Sequence, residues 1–457
     1  MPSTFADLDK DRRLSALAFM IRVITPIAAL LLAVALLQTG NGLQGTLLPV
    51  RANLEAFSTL SIGFLGSTYY IGFVTGCFLG PHLVRRVGHI RVFTAMAAVA
   101  SVTPLAHALI LLPPPWWLFR ILTGFCFAVL FMVIESWLNE RSTKDTRGSI
   151  LAIYLVINLT VITLGQMMLT VVHPQGFSLF ALASILVSVA AVPVALSAAP
   201  APAPIQSIQI RPLRVFRISP VGFVGCFAVG VANGAFWALG PVFAGLSGLD
   251  VSGIAIFMSA TVIGGAAGQW PIGRLSDRID RRKVLLAVCS LGAIMGCAMW
   301  WHGSDTGRGL FVIAALWGIF AFPMYGLSVA HANDFATADQ FVEVSGVLLL
   351  VFALGAVIGP LAASALMSVT DAAALYVFTS TVHVMFAGFV AWRMTQRAPT
   401  SAEQQVPFVE SLQAAQTVST TFDVERQTAM LDSGAVQRQP NGASHDVIPD
   451  ADETERD

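Results

Sequence analysis

The chain has 457 residues and a formal charge of zero, with 56% of its residues hydrophobic and only 11% charged. Soluble chains carry about 25% charged residues, so a soluble fold of this length would lack the polar shell to cover its apolar surface. A bilayer removes that difficulty by solvating the apolar exterior, and the lack of any basic excess excludes nucleic acid as a partner.

Lys10, Arg12, Arg13 and Arg22 precede an apolar run that continues past Leu37 without a small-residue cleavage site. This predicts a retained first helix rather than a cleaved signal. A spanning helix needs about 20 apolar residues, and the first six runs of that kind fall near 24–49, 59–80, 92–112, 116–138, 149–172 and 176–197. A linker over 199–218 follows, opening with Pro200-Ala201-Pro202-Ala203-Pro204 and turning basic from Arg211 to Arg217. Proline fixes φ and removes donors, which predicts an extended segment. Six more runs fall near 219–244, 251–273, 284–302, 308–331, 345–368 and 372–393. From 397 to 457 the chain is polar and ends in Asp450, Asp452, Glu453, Glu455 and Asp457, the composition of a disordered tail. These runs are called spans 1 to 12 below.

Twenty Lys and Arg residues fall in the connections on one side of the bundle, against Arg51 and Arg308 on the other. The positive-inside rule then places both termini in the cytoplasm and the protein in the inner membrane. All five cysteines lie in apolar runs without metal-ligand spacing and read as buried small hydrophobes. No metal or other cofactor is expected.

The two sets of spans are related. Asn41-Gly42-Leu43-Gln44-Gly45-Thr46-Leu47-Leu48-Pro49 aligns with Asn233-Gly234-Ala235-Phe236-Trp237-Ala238-Leu239-Gly240-Pro241 at an offset of 192. The same offset places Gly72 and Gly76 on Gly264 and Gly268, and Arg86 on Arg278. By spans 4 and 10 the offset is 194, with Gly124 on Gly318 and Asn139 on Asn333. Matches in order at a nearly constant offset predict a duplicated six-helix unit, the architecture on which alternating access is commonly built.

The connection after span 8 reads Gly273-Arg274-Leu275-Ser276-Asp277-Arg278-Ile279-Asp280-Arg281-Arg282-Lys283. It resembles the signature loop of the major facilitator superfamily, with Asp280 where that pattern has its second glycine. After span 2 the equivalent loop is degenerate: Arg85 stands where the family has aspartate, while Arg86 and Gly88 fit. Arg120 and Gly124 in span 4 resemble a further family motif, and Gly355, Gly359 and Pro360 in span 11 resemble the glycine–proline motif that antiporters carry in helix 5. The resemblance covers roughly 24–396. It implies an all-α fold of twelve helices in two halves, a transport function and protons as coupling ion; the sequence carries no HExxH, no nucleotide-binding loop and no Ser-His-Asp order with supporting turns, so no enzymatic activity is expected. It also implies that each loop faces a helix of the other half. Asp277 would then meet a span 5 entrance carrying Arg141, Lys144 and Arg147, and Arg85 a span 11 entrance carrying Asp334, Asp339 and Glu343, with Arg86 and Arg278 as further gating candidates.

Ionisable residues inside spans are usually functional, which singles out Arg120 as a substrate-binding candidate and Glu135 as a gating or coupling candidate. Asn41 and Gln44 in span 1, with Asn233 and Trp237 in span 7, occupy repeat-equivalent, glycine-broken segments of the kind that line a cavity. Tyr69, Tyr70, Asn158, Gln166 and Tyr325 complete the predicted pocket. Its amides and aromatic rings suit a neutral or weakly charged solute, with uptake of riboflavin or a similar heteroaromatic vitamin as the named expectation. Efflux of drugs or apolar aromatics is the alternative, and a non-transporting membrane sensor is the alternative from another class. One chain suffices for alternating access, so a monomer is expected.

Overall fold

A computed structural model describes residues 27–142, 146–196, 207–208, 211–302, 307–337, 340–396, 405–406, 408 and 421–422. Twelve helices within these residues are long and apolar enough to cross a membrane. Spans 1 to 6 are Ala28–Leu54, Thr59–Val87, His89–Leu109, Pro113–Leu138, Ala152–Thr170 and Ser178–Ala195. Spans 7 to 12 are Pro220–Leu246, Val251–Ser276, Arg281–His302, Arg308–Asn333, Glu343–Val369 and Ala374–Gln396. Span 10 is broken at Phe322, directly before Pro323, whose missing N–H cannot continue the helical ladder. The linker is not extended throughout: Pro212–Ile218 forms a short helix, with proline at the first turn where its missing donor costs nothing. Upstream, Ser207–Ile208 pairs in parallel with Thr421–Phe422.

The halves repeat each other contact by contact. Span 1 packs on spans 5 and 6, span 2 on span 4 and span 3 on span 6; span 7 packs likewise on spans 11 and 12, span 8 on span 10 and span 9 on span 12. Lipid offers no hydrophobic drive for helices to associate, so close backbone approach through small residues carries the packing. A Cβ on Gly72 would sit on the carbonyl oxygen of Ile121, and one on Gly264 would sit on that of Ala315. Gly124 rests in the same way on the Tyr69 carbonyl, and Gly318 on that of Thr261. Gly165 meets the Thr39 carbonyl where Gly359 meets that of Val231. Each pair is displaced by 192 or 194 positions on both partners, so the duplication extends to the helix contacts themselves.

Between halves, span 2 packs on spans 7 and 11, span 1 on span 7 and span 5 on span 8. At the end opposite the arginine-rich connections, Gly63 has no room for a Cβ against Ser364, and Gly66 has none against Ala238. The Ser67 hydroxyl donates to the Val357 carbonyl at 2.6 Å. At this end span 2 meets spans 7 and 11 through close backbone approach, with no ion pair between them among the described residues. The end that carries the arginines is called the basic end below.

Candidate functional site

A cavity of about 190 Å³ lies among spans 1, 2, 4, 5 and 7. By volume it has room for on the order of a dozen waters. Six of the ten predicted substrate-binding residues line it: Asn41, Tyr69, Tyr70, Arg120, Gln166 and Trp237. The other four do not. Gln44 and Asn233 are buried, with Gln44 Nε2 and Asn233 Oδ1 lacking protein hydrogen bonds, and Asn158 and Tyr325 lie elsewhere between helices. Gln44 follows lining Asn41 by three residues and Asn233 precedes lining Trp237 by four, spacings that share a helix face; their side chains are instead buried between helices.

Arg120 gives the cavity its chemistry. The guanidinium carbon lies 4.4 Å from the Tyr69 ring centroid, a cation–π distance, and Tyr69 packs edge-on against Tyr70 at 5.3 Å. Among the described residues no carboxylate pairs with Arg120, and its Nε has no hydrogen-bond acceptor. An uncompensated cation in an apolar bundle is costly unless something polar meets it. Gln166, almost fully buried, likewise has no donor for its Oε1. These atoms are placed to meet the polar groups of a solute. On the opposite wall Trp237 stacks on Phe322 at 5.7 Å and 21°, which fixes its indole plane. Asn41 is oriented by donating to Gln38 at 3.3 Å. Arg120, already a candidate from the sequence, puts one full positive charge in the wall.

The rest of the lining was missed, chiefly Thr46, Leu48, Ile62, Leu65, Ile162 and Ala238. Apolar side chains facing lipid and apolar side chains facing a cavity are the same residue types, so composition carries no signal for them.

The predicted gating residues fall into different surroundings. Glu135 lies within span 4 with no salt-bridge partner among the described residues. Arg85 and Arg86 are exposed in the last turn of span 2. Glu343 is paired with Arg214 of the linker helix at 3.1 Å, not with Arg85, because that helix runs beside the start of span 11. Asp334 pairs with Arg281 at 2.8 Å, both side chains 1% exposed, and burial pushes its carboxyl above the usual range although Arg281 lies beside it. Asp277 is 3.2 Å from the same arginine and accepts from the Phe408 backbone amide at 2.9 Å, so it does not meet span 5. Arg278 is exposed beside it. Lys144, Asp339 and the Arg147 side chain lie outside the described residues. Asp280, the departure from the family loop, accepts from the Arg282 amide, Nε and Nη2. Gly355 and Gly359, read as an efflux signal, seat span 11 on the Phe227 and Val231 carbonyls of span 7.

The comparisons with known proteins agree with this architecture. The sequence pattern of the Major Facilitator Superfamily matches residues 30–360 and, in a second placement, 223–422, and the chain belongs to that family. It is 26% identical over 363 residues to an uncharacterized MFS-type transporter of Enterobacter sp. (strain 638), covering 79% of this chain and 94% of that one. A similar uncharacterized transporter, YcaD of Escherichia fergusonii, is 26% identical over 366 residues, with 79% and 94% covered. Among solved structures, the nucleoside transporter NupG superposes with a TM-score of 0.68 at 13% identity, covering 82% of this chain and 100% of that one. A bacterial homologue of the human lysosomal transporter Spinster, inward-facing and occupied, gives 0.66 at 14% identity, with 83% and 97% covered. At such identities the structural likeness concerns the fold.

Proposed function

We propose that this protein is a secondary active transporter of the inner membrane that carries a small organic solute of one or two rings with a carboxylate or comparably strong acceptor. The observation that carries the reading is Arg120, an intramembrane cation without an acidic partner among the described residues, held against Tyr69 in the cavity wall. A carboxylate or carbonyl would take the guanidinium, a donor on the solute would satisfy Gln166, and a ring would lie between Tyr70 and Trp237. With a single cation in its wall, the cavity suits one negative charge and not a phosphate monoester or a dicarboxylate. Nothing in the comparisons supports riboflavin, since the relatives' names give no substrate.

Alternating access would proceed by parting the seal of span 2 on spans 7 and 11, while the glycine-clasped helices within each half move as a block. Glu135 is the carboxylate for proton coupling, because it lies in a span without a fixed cation beside it. A single chain holds the whole cavity, which fits a monomer. The test is uptake by proteoliposomes of labelled ring monocarboxylates, nucleosides and flavins, with and without an imposed proton gradient. Saturable uptake of one class that Arg120→Ala abolishes supports the reading. Uptake that survives Arg120→Ala unchanged overturns it.

A further inference from the structure

Part of the polar C-terminal segment sits in a built site at the basic end of the second half. Phe408 is 3% exposed, and its ring rests on Gly273, where a Cβ would have no room. The Phe408 amide donates to Asp277 Oδ1 at 2.9 Å and the Val406 amide to Asp334 Oδ1 at 3.0 Å. Arg281 donates from Nη2 to the Val406 carbonyl, from Nη1 to the Ser276 hydroxyl at 3.1 Å and from Nε to Asp334. Three backbone groups and one ring of the tail are therefore matched by the end of span 8, the start of span 9 and the end of span 10. Recognition of alternate backbone groups plus one side chain in a slot is how grooves bind extended peptides.

The site also occupies a charge that has a second use. Spans 5 and 8 pack together across the two halves. Asp277 closes span 8 at the basic end, and Arg141 lies in the turn that follows span 4 and leads into span 5. Among the described residues Arg141 Nη2 is buried without an acceptor, while both contacts of Asp277 go to the tail and to Arg281 of its own half. One half thus holds a cation with no partner among the described residues, and the other an anion whose Oδ1 is shared by the tail amide and Arg281.

We propose that the loop after span 8 is a docking site for the chain's own segment around Phe408, and that docking keeps Asp277 from pairing with Arg141. With the tail docked, the basic ends of spans 5 and 8 lack their ion pair. With the tail released, the pair forms and draws the halves together there. The C-terminal segment is then a peptide that sets how readily the basic end closes, through a contact that the solute cavity does not share.

The test uses the full-length protein in nanodiscs without any solute, so its outcome is separate from the transport reading. Amide exchange at Val406 and Phe408 reports docking, and the distance between labels at Glu140 and Ile279 reports closure. In the native sequence both amides are expected to exchange at least tenfold more slowly than in Phe408→Glu. In Phe408→Glu a short-distance population is expected to grow several-fold, and Arg141→Gln in the same chain is expected to remove it. Phe408→Gly repeats the measurement without adding a charge. Fast exchange in the native sequence would overturn the docking. Unchanged distances on undocking, or a short population that survives Arg141→Gln, would overturn the control of Asp277.

Discussion

The two halves are copies in their packing and opposites in their chemistry. Glycines clasp the same carbonyls in each, Gly72 on Ile121 as Gly264 on Ala315. Yet the first half supplies Asn41, Tyr69, Tyr70, Arg120 and Gln166 to the cavity, while the second adds only Trp237 and Ala238. The second half instead concentrates its charge at the basic end, where Arg281 joins Asp277 and Asp334 beside the tail. In the equivalent position of the span 2 loop the chain has Arg85 rather than an aspartate. A duplicated scaffold can therefore keep its helix contacts fixed while its two copies carry different side chains, the polar cavity lining in one and the buried ion pairs in the other.

The largest expected effect tests the shared part. Gly72→Val and Gly264→Val each drive a side chain into a backbone carbonyl, a clash at or beyond the ~3 kcal/mol end of overpacking costs. Both should abolish folded protein in detergent, read by size-exclusion profile; tolerance of one alone would break the equivalence of the halves. Next is Arg120→Ala, which removes a charge-assisted contact worth about 1.5–3 kcal/mol. It should weaken solute binding roughly 10- to 100-fold by the same principle, with Arg120→Lys failing to restore it because a point charge does not stack on Tyr69 as a guanidinium does. A smaller effect separates repeat-equivalent amides: Asn41→Ala should raise the transport KM severalfold, whereas Asn233→Ala, outside the cavity, should leave KM unchanged. Equal effects would restore a symmetric pocket.

The smallest effect concerns Asp280. Burial alone would raise its carboxyl, but the hydrogen bonds and charge of Arg282 hold it below its ordinary value of 3.8. Its pairing therefore contributes stability above that value, lost as pH falls through the lowered one. Arg282→Gln should melt a few degrees below the native sequence at neutral pH, and the gap should narrow under strongly acidic conditions.

Much of this was legible from the chain. Twelve apolar runs and the 192-residue offset gave the fold and its duplication, because bilayer thickness and glycine clasps leave direct marks in sequence. Arg120 was legible as an intramembrane cation, but that no carboxylate among the described residues pairs with it is a matter of distance, not of spacing. That Gln44 and Asn233 stay out of the cavity while Asn41 and Trp237 line it was not legible, because residues three or four apart share a helix face and only the packing of neighbouring helices separates them. The pairing of Asp277 was misjudged because a polar tail reads as disordered. Its usable signals were Phe408 and Phe422, the two phenylalanine rings of a mostly polar segment.

The measurement that bears most directly on the solute site is a thermal-stability screen of the purified protein. It would run ring monocarboxylates, nucleosides, sugars and flavins against the native sequence and Arg120→Ala in parallel. A ligand bound only by the folded state raises the melting temperature with its concentration. The account predicts at least one ring compound with an acceptor group that stabilises the native sequence and leaves Arg120→Ala unmoved. Compounds that stabilise both proteins equally would place the solute site away from Arg120 and contradict it.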